Sequence, residues 1–169
     1  MATETSRRLA RCALCVALAV LGATAKPVMA TSSSTINVTV ILNAEPCKVN
    51  NNNIIEVNFG DDVQTKLVDG SYKKMQVPYT VDCPVGAPNA MSIRVDGTGA
   101  AFNPDVLMTN VSNFGIALLA DENALPINRS KDFTYPYMPR LYAVPVKRPG
   151  ATLTGGAFSA GAIIRVEYR

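Results

Sequence analysis

Histidine is absent from all 169 residues, and this absence excludes more chemistry than any other feature of the chain. Without an imidazole there is no Ser-His-Asp or Cys-His nucleophile system, and most zinc ligand sets lose a member. Cysteine is scarce too: there are four, and Cys12 and Cys15 fall inside an apolar run near the N-terminus. Their CxxC spacing is read as part of a discarded segment, not as a redox pair. Cys47 and Cys83 remain, and two cysteines without histidine are too few for a metal site. Acidic residues are scattered. Asp61 and Asp62 are adjacent, but beside Gly60 they read as a solvated turn, not a calcium loop. Gly97-Thr98-Gly99 is too short for a phosphate loop and opens no helical pattern. No catalytic residue, metal site or cofactor is expected, and the chain is not read as an enzyme.

Charge of one sign is also in short supply. The net charge is +3, from 16 Lys and Arg against 13 Asp and Glu. The excess lies near the N-terminus. Arg7, Arg8 and Arg11 form a basic region, Cys12 to Ala25 an apolar one, and Ala23-Thr-Ala25 and Val28-Met-Ala30 are small-residue cleavage sites. The apolar run is short for a bilayer span. Residues 1–30 are therefore read as an export signal peptide, cleaved after Ala30. Its removal leaves twelve charges of each sign. No nucleic-acid or anionic-membrane partner is expected.

The remaining stretch, about 139 residues, is enough for one domain with a real core. Long helical periodicity is missing. Short alternating runs between turn residues predict an all-β fold. They are Thr35–Asn43, Ile54–Phe59, Lys74–Cys83, Ala90–Val95, Gly115–Leu119, Leu141–Lys147 and the last residues of the chain. Pro78 marks an edge or a bulge. Six or seven such runs predict a β-sandwich. Cys47 and Cys83, an even pair in an exported chain, predict one disulfide that ties the first strand to the end of the next long one. Tyr135-Pro-Tyr-Met-Pro139 reads as a rigid surface loop, with contact to a neighbour or receptor as the sharper alternative. Three Asn-x-Ser/Thr triplets, at Asn37, Asn110 and Asn128, are weak signals, since such triplets arise by chance.

The two end runs carry the most information. Ile36, Val38, Val40 and Leu42 alternate with Asn37, Thr39 and Ile41; Ala162, Ile164, Val166 and Tyr168 alternate with residues that include Arg165 and Glu167. Half-buried strands at the termini of an exported chain are placed to pair with other chains.

Together these residues resemble a known family. The export signal, the Thr/Ser-rich start, the alternating arm, Ala44-Glu-Pro-Cys47, Cys83, Gly115-Ile-Ala-Leu-Leu119 and the ending Arg165-Val-Glu-Tyr-Arg169 look like a chaperone–usher pilin, more narrowly a type 1-like minor fimbrial subunit. The resemblance covers residues 31–169. It implies an incomplete immunoglobulin-like β-sandwich that lacks its last strand, with an N-terminal donor-strand extension at 31–44 and a pilin domain at 45–169. It further implies that a periplasmic pilus chaperone fills the open groove. At the outer-membrane usher, the arm of a neighbouring pilin subunit then replaces the chaperone, and the product is a cell-surface fimbria.

Residue by residue, the resemblance implies a Cys47–Cys83 disulfide and a donor strand of Ile36, Val38, Val40 and Leu42. The groove and chaperone contacts fall on Gly156, Ile164, Val166, Tyr168 and the carboxylate of Arg169. One position departs from the pattern: the family arm usually has glycine seven residues before the first cysteine, where this chain has Val40. That implies a roomier acceptor pocket or a shifted register. The chain is too short to add a separate receptor-binding domain, so a shaft or adaptor role is expected. The competing reading is a self-complete, lectin-like secreted sandwich that binds through Tyr135–Pro139 or Asn50–Asn53.

Overall fold

The computed structural model describes residues 33–40 and 45–169. The expected signal peptide and the donor residue Leu42 lie outside the described residues. The chain divides into two units, Met1–Ile41 and Leu42–Arg169. In the first, residues 33–40 form neither helix nor strand. Ile36, Val38 and Val40 are 83%, 77% and 68% exposed. The strand expected at Thr35–Asn43 is therefore not formed over 35–40. Alternating apolar residues favour a strand only when a sheet supplies backbone partners and a face to cover.

The described residues of the second unit hold eleven strands: β1 (Lys48–Val49), β2 (Met75–Gln76), β3 (Val81–Asp82), β4 (Ala90–Gly97), β5 (Gly99–Ala100), β6 (Asn103–Met108), β7 (Phe114–Ala120), β8 (Asn123–Ala124), β9 (Ser130–Thr134), β10 (Leu141–Lys147) and β11 (Ala162–Tyr168). Two short 3-10 turns, Asn50–Asn52 and Thr65–Leu67, are the helical elements among the described residues. One sheet has the order β2-β10-β7-β6-β5, with β8 beside β7; the other is β11-β4-β9; β1 and β3 form a small ladder of their own. Every pairing is antiparallel.

Alternation decides what is buried. On β4, Met91, Ile93 and Val95 point inward and are 0%, 0% and 3% exposed. Ile93 and Val95 share one core cluster with Phe114, Ile116 and Leu118 of β7 and Leu141 and Ala143 of β10. Each such side chain contributes about 1.5–3 kcal/mol on leaving water. Pro78 falls where the chain leaves β10 and crosses to β1: Val77 N–H still donates to Leu141 O (2.9 Å), and three residues later β3 pairs with β1. Proline suits that step because it has no N–H to leave unpaired.

Two glycines are fixed by close approach. A Cβ on Gly99 would lie 2.7 Å from Pro104 O, where β4 turns into β5 and so changes sheets. A Cβ on Gly115 would meet Val106 Cγ1 at 2.6 Å and Leu107 O at 2.8 Å. Gly115→Ala must push β6 away from β7. Overpacking of this kind costs about 1–3 kcal/mol. A clear fall in the urea midpoint is expected; an unchanged midpoint would mean the two strands separate freely.

Five strands escape the sequence pattern: β1, β5 and β8, of two residues each, and the longer β6 and β9. β6 contains Pro104 and Asp105, and only Leu107 and Met108 pair with β7. β9 is an edge strand with one large apolar residue, Phe133. Conversely, the strand expected at Ile54–Phe59 makes no ladder. Its side chains do alternate, with Ile55, Val57 and Phe59 half-buried and Ile54, Glu56 and Asn58 exposed.

Candidate binding groove

A groove of about 1390 Å³ opens beside β11. Its walls are the unpaired segment around Ile54–Phe59 and the stretch from Leu153 to Glu167. Its floor is the core itself: Val68, Val77, Val95, Leu107, Phe114, Ile116, Leu118, Leu141 and Ala143. These floor residues are themselves buried, and the cleft opens directly above them. Ile164 and Val166 of β11 pack against the core yet stay only half-buried.

The wall strand is an edge. β11 pairs with β4 along all seven residues, from Ala162↔Gly97 to Tyr168↔Met91. On its groove side it has no strand partner among the described residues. A long apolar edge carries a row of free N–H and C=O groups and is a template for another strand. Its outward face is held by charge. Arg165 Nε donates to Asp96 Oδ2 at 2.6 Å, and Arg94 also engages that carboxylate. Hydrogen bonds from Arg94 and from Arg165 hold the Asp96 carboxyl below the usual carboxylate range.

Each end of the groove is closed differently. At one end Phe158 stacks edge-on against Phe114 at 4.8 Å and tilts against Phe59 at 5.7 Å. Asn110 anchors this corner: its Oδ1 accepts from Ser159 N–H at 2.8 Å and its Nδ2 donates to Ala157 O at 3.3 Å. At the other end the Tyr168 hydroxyl donates to Glu45 O at 2.7 Å and lies 3.4 Å from Cys47 Sγ. Cys47 is disulfide-bonded to Cys83, 36 residues away, as expected for an exported chain. Asn50, Asn51 and Asn52 then take φ of 48°, 50° and 63°, turning the chain from β1 into the groove wall. Among non-glycine residues asparagine tolerates this region well.

The expected groove residues divide. Gly156, Ile164 and Val166 line the groove. Gly156 takes φ +138°, in the left-handed region. Tyr168 does not line the groove; its hydroxyl reaches Glu45 O and Cys47, and Cys47 does line it. Arg169 points its side chain to Asp132 on β9, at 2.6 Å, and its N–H donates to Ala90 O. The floor and Phe158 were not singled out from sequence as groove residues. An alternating pattern marks a core face but not which part of that face stays uncovered.

Of the loops considered for ligand contact, Tyr135–Pro139 is a tight turn with Tyr137 82% exposed. Asp62 pairs with Lys73 at 2.6 Å. No grouping of three or more metal-ligating side chains occurs among the described residues.

Comparison with known proteins places this architecture. The fimbrial protein family model matches residues 34–169. The fimbrial-like protein YfcQ of Escherichia coli (strain K12) is 33% identical over 137 residues, covering 76% of this chain and 83% of that protein. The fimbrial-like protein YfcR of the same strain is 30% identical over 129 residues, covering 73% and 74%. Among solved structures, the P pilus adaptor subunit PapF is 27% identical with a TM-score of 0.56, over 75% of this chain and 98% of that one. The P pilus rod subunit PapA, 20% identical with a TM-score of 0.58 over 82% and 100%, shares the fold. The immunoglobulin-like sandwich with an open flank is thus that of a structural subunit, not of an enzyme, and the chain belongs to the fimbrial protein family, as a pilin of the chaperone–usher kind.

Proposed function

We propose that this pilin polymerises by donor-strand exchange, with the groove beside β11 as acceptor and residues 31–44 as donor. The observation that carries the reading is the unpaired edge of β11 beside a groove whose floor is the apolar core. In length the two parts agree. Ile36 to Leu42 spans seven residues, as β11 does. At ~3.3 Å per residue both run roughly 23 Å. Four inserted side chains contribute about 6–12 kcal/mol of gross burial, at ~1.5–3 each. Ordering the arm opposes part of this. Main-chain bonds along the edge add strength, and alternate side chains add selectivity.

On this reading a periplasmic pilus chaperone occupies the groove first, by strand addition along Ile164, Val166 and Tyr168, with the Arg169 carboxylate anchored on it. The outer-membrane usher is where the arm of a neighbouring pilin takes over. The product is a surface fimbria that supports adhesion. The likeness to the PapF adaptor subunit supports an adaptor role over a shaft role.

The test is to express residues 31–169 in a periplasm, alone and with a pilus chaperone, and melt what is recovered. A marginal chain rescued as a one-to-one chaperone complex is the expected result. A soluble monomer with a sharp, high melt and no chaperone affinity would overturn the proposal. Within the same assay, Tyr168→Ser removes the half-buried ring at the end of β11 and the hydroxyl that holds Glu45. Truncating a half-buried aromatic costs less than the ~3–5 kcal/mol of a fully buried one, and the lost hydrogen bond about 1 more. The yield of chaperone complex is expected to fall several-fold; an unchanged yield would remove Tyr168 from the site.

A further inference from the structure

Outside the arm and the groove, two of the most exposed large apolar side chains are Val85 and Tyr137, at 107% and 82%. They share one pole of the sandwich. Tyr137 N–H donates to Thr134 O at 2.8 Å, and Thr134 is the partner of Ala90 at the start of β4. Val85 follows Cys83, whose sulfur lies 3.9 Å from Met91 Sδ. Tyr135 N–H donates to Asn89 O at 2.8 Å and so joins the two loops. Tyr168 lies opposite Met91 and bonds Glu45. The pole that presents Val85 and Tyr137 is therefore the pole at which the chain enters the domain.

Both loops are tied down. Tyr79 Oη donates to Pro139 O at 2.6 Å, and Ala87 N–H donates to Pro84 O at 3.1 Å. The surface is preorganised, so covering it would order little more chain.

We infer that this pole is a subunit–subunit contact surface, packed against the pilin that accepts this chain's arm; the inference rests on the donor-strand reading. Chain length argues for that occupant. Leu42 and Glu45 are three residues apart, at most roughly 10 Å at ~3.3–3.6 Å per residue. Once Leu42 is seated in a neighbour's groove, that neighbour's body must abut the pole from which Glu45 emerges. Tyrosine is among the residues that most often anchor such contacts. The sequence, which has Tyr-Pro-Tyr-Met-Pro at this place, leaves a neighbour and a receptor equally open; the pole's position favours the neighbour.

The test uses the full chain assembled into fimbriae on cells. A photo-reactive benzophenone side chain is placed at Tyr137 in one strain and at Thr39, on the polar side of the arm, in another. After illumination, fibres are dissociated and adducts are identified by mass spectrometry. The expected result is a mass shift of one pilin subunit from both positions, with the same neighbour captured by each. An adduct at Thr39 with none at Tyr137, or with a different partner at Tyr137, overturns the inference and leaves the donor-strand reading standing. No adduct with a pilin at Thr39 overturns the donor-strand reading, and the inference falls with it.

Discussion

Val38→Asp is expected to leave the domain's thermal midpoint unchanged and to abolish this chain's insertion into a neighbour. The two halves of that expectation have separate causes. Val38 is 77% exposed and belongs to no strand. A substitution at such a place changes folding stability by no more than about 0.5 kcal/mol. Insertion would move the same side chain into an apolar groove like the one beside β11. There the valine's contribution, about 1.5–3 kcal/mol, is lost. A carboxylate must also be buried without a partner, or protonated, which costs several kcal/mol more. About 4 kcal/mol is already a factor of roughly 10³ in affinity. The measurement is paired: a melt of the chaperone-held subunit, and a count of detergent-resistant complexes in sheared fimbriae. Wild-type incorporation with aspartate at 38 would remove residue 38 from the donor strand. A lowered melt would place it in the fold instead.

Much of this molecule is legible in its sequence because the legible parts are set by local rules. β4, β7, β10 and β11 are long, carry the apolar core residues, and stand within a residue or a few of their expected bounds. The disulfide follows from two cysteines in a chain marked for export. The turn at Asp61-Asp62 follows from its glycine. Where the reading failed, the deciding interactions were tertiary. β6 is held by pairing to β7 in spite of Pro104, and β9 by pairing to β4 with little apolar content. The opposite failure is more instructive. Ile54–Phe59 alternates as well as any strand, yet makes no ladder, because the place beside it is the groove. Periodicity reports that a face wants covering. It does not report whether the cover belongs to the same chain. Ile164 and Val166 make the same point, since their pattern predicts a core face and the structure leaves that face half-open.

Replacing both cysteines, Cys47→Ser with Cys83→Ser, is expected to have the largest effect on the fold and a second effect on the groove. In the chain-entropy model, closing a 36-residue separation stabilises by about 4 kcal/mol. For a domain of this size that lowers the melting midpoint by on the order of 10–15 °C. Little else compensates. β1 and β3 share only two residue pairs. The wall after them has no ladder. Beyond that ladder, Asn50 N–H donates to Thr80 O at 2.9 Å, and the Tyr168 hydroxyl ties this entry of the chain to β11 by donating to Glu45 O. Without the disulfide, residues 45–60 lose the anchor that keeps the groove's near wall in place. Chaperone capture is therefore expected to fall along with the melt, although neither cysteine belongs to the donor strand. Val38→Asp should spare capture and block donation; the cysteine pair should weaken capture first. Measuring the melt and the capture on the same preparation separates these outcomes. A lowered melt with full capture would mean that the wall is held by its half-buried Ile55, Val57 and Phe59 alone, and that the groove is firmer than its lack of backbone pairing implies.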